Sequence, residues 1–133
     1  MSNDQRQQPS RKHLPSGLSA TLRDRGHICK LQGRDFVLYS GLLELAHEHG
    51  LEQITTTITH IDPDKGWCVV KATATGSRGT FDGHGDASPA NVSRNLASAY
   101  IRMSETRAKA RCLRDYLGIG MTAREELPPQ SKG

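Results

Sequence analysis

Ser88 to Gly120, SPANVSRNLASAYIRMSETRAKARCLRDYLGIG, is the longest periodic stretch in the sequence, and it limits what the remainder can build. Ser88 suits an N-cap, Pro89 suits the first helical position, and Gly118 and Gly120 supply a stop, so the pattern predicts one long helix. Val92, Leu96, Ala99, Met103, Thr106, Ala110, Leu113 and Leu117 follow at alternating steps of four and three, which predicts a single buried stripe. Arg107, Arg111 and Arg114 fall beside that stripe with Tyr100 among them. Arg94, Arg102 and Lys109 fall on the opposite flank. One face must pack, and its neighbours present cations.

A chain of 133 residues makes one domain with a modest core. No apolar run approaches the roughly 20 residues of a membrane span, and the polar N-terminus has no signal-peptide core. Cys29, Cys68 and Cys112 are odd in number and widely spaced, which argues against a disulfide framework or a zinc site. A cytoplasmic chain is expected, nucleoid-associated in a bacterium. The net charge is +4, but it is unevenly spread. Residues 1–38 carry seven Lys/Arg against three Asp/Glu, 39–91 three against seven, and 92–117 six against two. Such segregation points to a phosphate-bearing partner, although flanking charges can also be simply solvated.

Residues 1–25, rich in Gln, Ser, Arg and Pro, are expected to be a flexible segment, with a short amphipathic helix carried by Leu14, Leu18 and Leu22. The domain is expected over 26–127, followed by a flexible tail at 128–133. HICKLQGRDFVLYS reads as two short strands around Gln32-Gly33-Arg34, and Ser40 as the cap of a helix ended by Gly50, with Leu42, Leu43, Leu45 and Ala46 inward. From Leu51 the β-branched run LEQITTTITHID, the Pro63-Asp64-Lys65-Gly66 turn and WCVVKATATGS predict paired strands, with Cys68, Val70, Ala72 and Ala74 on the buried face. TFDGHGD is a shorter third strand. The order β-β-α-β-β-β-α gives an α+β domain, an antiparallel sheet packed against its last helix. Two sheet edges are left, so self-association is expected.

Several constellations invite chemistry. Asp82, His84 and Asp86 would share one face of a strand as metal ligands do, but the intervening glycines read better as a bend and turn before the helix cap. His47 and His49 point apart on a helix. Gly76-Ser77-Arg78-Gly79 lacks phosphate-loop spacing, and Cys68 and Cys112 fit packing positions better than reactive ones. No triad or carboxylate pair assembles, so no enzyme, cofactor, metal or small-molecule substrate is expected. The arginine strip is different: its members repel one another with only Glu105 and Asp115 nearby, and a polyanion relieves that. Six aromatic residues are few for base stacking, which favours holding a strand by its phosphates.

Three blocks carry a resemblance to a known family. LQGRDFVLYSGLLELAHEHG, VVKATATGSRGTFDGHGDASPANVSR and IRMSETRAKARCLRDYLGIG make the chain, from His27 to Leu127, similar to the Rad-fifty-two-type single-strand annealing proteins, most closely to their bacterial DNA damage response A branch. The resemblance implies a β-β-β-α core assembled into a homo-oligomeric ring, with single-stranded DNA in a basic outer groove and bases exposed for pairing. It implies that Arg111 and Arg114 line the groove with Arg34 as their partner from the hairpin, beside Arg107 and Lys109, and that Lys71, Arg78 and Arg102 make a second, outer contact. Ala110 stands where eukaryotic relatives carry a lysine. The chain ends soon after the matched blocks, so strand annealing or end protection in double-strand break repair and recombination is the expected role, rather than recombinase mediation. The alternative is a non-enzymatic interaction domain for an acidic protein partner.

Overall fold

The computed structural model describes residues 17–89 and 99–128. Helix α1 (17–24) leads into a hairpin of β1 (Ile28–Leu31) and β2 (Arg34–Val37), then α2 (Tyr39–Glu48). A meander follows, β3 (Leu51–Asp62), β4 (Trp67–Gly76) and β5 (Gly79–Ala87), and then α3 (Tyr100–Leu117) and a 3-10 turn at Arg124–Glu126. The fold is α+β, with a three-stranded antiparallel sheet in the order β3-β4-β5 and α3 packed on it.

Local chemistry accounts for most boundaries. Gln32 and Gly33 both take positive φ, 50° and 77°, which lets two residues join strands paired Leu31 to Arg34. Asp62 Oδ1 accepts the Lys65 amide at 3.2 Å, and Gly66 at φ 67° completes the next turn. Gly118, also left-handed, ends α3, with the Ile119 amide returning to the Arg114 carbonyl at 2.9 Å. The alternation of β4 buries Cys68, Val70, Ala72 and Ala74 against α3, as the pattern predicts.

Four expectations are modified. Leu18 and Leu22 of α1 belong to the core, so the packed unit already includes residues ahead of the boundary placed after 25. Ser40 does not cap α2: the helix starts at Tyr39 with no side-chain cap from its N-cap residue, and the Tyr39 amide donates instead to Glu125 Oε1 at 2.8 Å, a partner 86 residues away. Gly83 and Gly85 are not bend residues. They lie mid-strand in β5, where a Cβ at Gly85 would collide with the main chain of Ser104 and Ala108, and one at Gly83 would come within 2.6 Å of Cys112 N. Glycine is needed there because α3 lies directly on the strand.

The fourth concerns α3 itself. Val92 and Leu96 lie outside the described residues. Ala110, Leu113 and Leu117 are buried as expected, but Ser104, Ala108, Cys112 and Tyr116 are buried as well, and Met103 and Thr106 are only half-buried. The helix is covered on two sides, by the sheet and by α2, rather than along one stripe. Ser104 is satisfied by donating to the Tyr100 and Cys68 carbonyls at 2.8 and 3.1 Å, and Tyr116 Oη by donating to the His49 carbonyl at 3.0 Å. Tyr116 also meets Phe81 edge to face at 5.6 Å between centroids. No described helix is long and apolar enough to cross a membrane.

Candidate nucleic-acid interface

The arginine strip of α3 runs along β5, an edge strand whose outer carbonyls need partners. Arg107 Nη1 donates to the Asp86 carbonyl at 2.8 Å and Arg111 Nη1 to the His84 carbonyl at 3.0 Å. Residues one helical turn apart thus serve carbonyls two strand residues apart, because a helix turn of about 5.4 Å and a two-residue strand step of about 6.6 Å nearly coincide.

Glu126, on the 3-10 turn, closes the same strip from the other side. Its side chain is 5% exposed. Oε1 accepts Arg111 Nε at 3.1 Å and Arg114 Nη2 at 2.9 Å, while Oε2 accepts Arg114 Nε at 2.6 Å and the Ala123 amide at 2.8 Å. Arg107 reaches this segment too, donating to the Leu127 carbonyl at 3.4 Å. The segment is tied to the hairpin by a bridge from Val37 to Ala123. The arginines therefore fasten the chain's last described segment to the sheet, a task their spacing alone does not reveal.

Their exposures differ. Arg107 is 2% exposed, and burial lowers its pKa, with the Arg111 charge pushing the same way and Asp86 opposing. It is a scaffold residue, and its burial leaves it little surface for the DNA contact that the sequence suggests. The side chains of Arg111 and Arg114 keep 38% and 20% exposure, and beyond Glu126 their Nη1 atoms donate to the His84 carbonyl at 3.0 Å and the Gly120 carbonyl at 3.5 Å. Arg78 stands at the β4–β5 turn, near the C-terminus of α3, where its Nε donates to the Tyr116 carbonyl at 2.6 Å. Arg78 is thus held at the C-terminal end of α3, while Arg111 and Arg114 meet at Glu126.

The other candidates lie elsewhere. Lys71 is on the sheet face opposite α3, 3.7 Å from Asp82 Oδ2. Arg34 is in the separate hairpin, with its guanidinium 5.8 Å from the Phe36 ring centroid. Arg102 is exposed and lines a cleft of about 500 Å³ between α3 and the 3-10 turn, with Met103, Thr106, Arg124 and Leu127. Lys109 is half-buried on the flank away from the strip, and Arg94 lies outside the described residues. The structure brings Arg107, Arg111 and Arg114 together and leaves Arg34, Lys71, Arg78, Arg102 and Lys109 apart.

Asp82, His84 and Asp86 face away from the helix, and Asp82 accepts from Thr73 Oγ1 at 2.8 Å. Among the described residues, no three His, Cys, Asp or Glu side chains converge as metal ligands would. Glu126 is the residue that the sequence reading passed over. Its available signal was an acidic pair, Glu125-Glu126, placed shortly after an arginine-rich helix. Comparison of the chain with known protein families, curated proteins and solved structures finds no match.

Proposed function

We propose that the chain binds single-stranded DNA by its phosphates and, as an oligomer, brings strands together for annealing or shields ends in double-strand break repair. The observation that carries the reading is that Arg111 and Arg114 share the single buried carboxylate of Glu126 while their side chains keep 38% and 20% exposure beside β5. A phosphate chain passing there meets solvent-facing guanidinium groups that one carboxylate does not neutralise. Scarce aromatics agree with holding the backbone and leaving bases open. In this reading Arg107 positions the strip without touching DNA. Arg34, Lys71, Arg102 and Lys109 are secondary contacts, and the ring implied by the resemblance is the assembly in which strips from neighbouring copies would join. No bond chemistry, cofactor or metal is involved.

The test is oligonucleotide binding against salt. Arg111→Ala and Arg114→Ala should each weaken binding to all sequences alike and lower the salt slope by about one. Folding is checked by circular dichroism, and Arg78→Ala provides a variant outside the Glu126 cluster. Unchanged affinity and slope in all three variants would sink the reading. The second reading, an interaction domain for an acidic protein, draws on exposed cations such as Arg102, which lines a cleft between α3 and the 3-10 turn. It predicts no salt-dependent shift of a labelled oligonucleotide.

A further inference from the structure

The two borders of the three-stranded sheet differ. The β5 border is occupied by Arg107 and Arg111, whereas β3 is the other end of the strand order. β3 has 12 residues and no lysine or proline, and its acidic residues, Glu52 and Asp62, lie near its two ends. Register irregularities lie between Leu51 and Gln53 and between Ile58 and His60, which leaves an unbroken run from Gln53 to Ile58.

Large apolar side chains are exposed beside this edge. Ile58 is 47% exposed, Ile61 39% and Ile101 41%. Ile58 pairs with Val70 and Ile61 with Cys68, both buried under α3, so the two isoleucines lie on the helix side of the sheet. Ile101 is one turn before Glu105, whose Oε2 accepts Thr56 Oγ1 at 2.8 Å, which puts Ile101 on the β3 side of the helix. Three isoleucines thus line one shelf next to a strand edge that pairs with no other strand among the described residues.

The strand's own sequence indicates what covers the shelf. Outward from Thr56, Thr55 matches Thr57 and Ile54 matches Ile58 within the unbroken run; beyond the two irregularities, which are themselves placed symmetrically, Glu52 mirrors His60 and Leu51 mirrors Ile61. In an antiparallel pair of identical strands about a twofold axis at Thr56, these are the residues set opposite one another. Isoleucine meets isoleucine, threonine meets threonine, and Glu52 lies by His60 of the second copy. Slipping the register by one residue would set isoleucines against threonines and separate Glu52 from His60.

We infer that two copies of the chain pair through β3, antiparallel and centred on Thr56, into a six-stranded sheet. The twofold axis is perpendicular to the sheet, so both α3 helices stay on one face. Ile58, Ile61 and Ile101 of each copy then fill the valley between the helices. The β5 borders, with their arginines, end up at the two outer margins. The contact is isologous and closes at two copies, so any larger assembly needs a second interface. The pairing does not depend on nucleic acid, and its failure leaves the phosphate-binding reading of the arginines untouched.

Sedimentation of the full chain without DNA tests it. The wild type should run at twice 14.6 kDa and Ile58→Lys at 14.6 kDa, with the far-UV circular dichroism unchanged. Under mild oxidation, Thr56→Cys should cross-link to itself as a dimer, whereas Gln53→Cys, whose mate is Thr59, should not. A wild type that is monomeric at its highest soluble concentration overturns the pairing. So does an assembly that Ile58→Lys leaves intact, or Gln53→Cys cross-linking as readily as Thr56→Cys.

Discussion

Arg114 grips Glu126 with two parallel bonds, Nε to Oε2 at 2.6 Å and Nη2 to Oε1 at 2.9 Å, 12 residues apart in the chain. This is the planar fork by which a guanidinium also holds a phosphate. Arg111 Nε holds the same carboxylate at 3.1 Å, so one buried carboxylate serves both guanidinium groups.

Replacing Glu126 by Gln should therefore have two opposite effects. Stability should fall by about 2–3 kcal/mol in urea denaturation, below the full loss for a deeply buried pair because both arginines retain solvent contact. Oligonucleotide affinity should rise, because Arg111 and Arg114 are released. An affinity that falls along with stability would show that Glu126 orders the interface rather than competing for it.

Gly85 lies where α3 rests on β5. Gly85→Ala should cost about 3 kcal/mol or more, because main chain rather than a flexible side chain stands in the way. Gly120→Ala, whose added Cβ meets nothing within 4 Å, should change stability by less than about 0.5 kcal/mol. Chemical denaturation of the pair provides the comparison.

Acid should loosen the contact between α1 and α2. His27 first, then Arg25, hold Glu44 below its ordinary value near 4.5, and Arg25 does the same for Glu48. A carboxylate whose folded pKa is depressed contributes stability above its unfolded pKa and loses it as pH falls through the folded value. Arg25→Ala should accordingly show a smaller drop in Tm between about pH 5 and about pH 3 than the wild type. Both carboxylates are at the surface, so the difference should also shrink with added salt. Identical acid profiles would show that the bridge has no weight in solution.

The thiols should divide by burial. Burial pushes Cys112 up to about 11, a backbone hydrogen bond from Ala74 pulling the other way, and its Sγ lies 3.0 Å from the Phe81 carbonyl. Cys68 is fully buried, whereas Cys29 is only half-buried. With a thiol reagent at about pH 8, Cys29 should react first and the other two at the rate of unfolding. Early labelling of Cys112 would contradict its placement.

The amino-acid sequence by itself determined those features whose cause lies within a few residues. The alternation of Cys68, Val70, Ala72 and Ala74 fixed the buried face of β4, Gln32-Gly33 and Asp62 to Gly66 fixed the turns, and Gly118 fixed the end of α3. Each rests on a periodicity or a backbone preference that a short segment carries with it. Only the tertiary structure decided what the arginines do. Their partners, the carbonyls of His84 and Asp86 and the carboxylate of Glu126, are 12 to 27 residues away and meet them only once α3 lies on β5. The same long-range packing turned Gly83 and Gly85 from apparent bends into contact points and replaced the Ser40 cap with Glu125. A helix period says that three cations share a side, but it cannot say whether that side meets solvent or the unsatisfied edge of a strand.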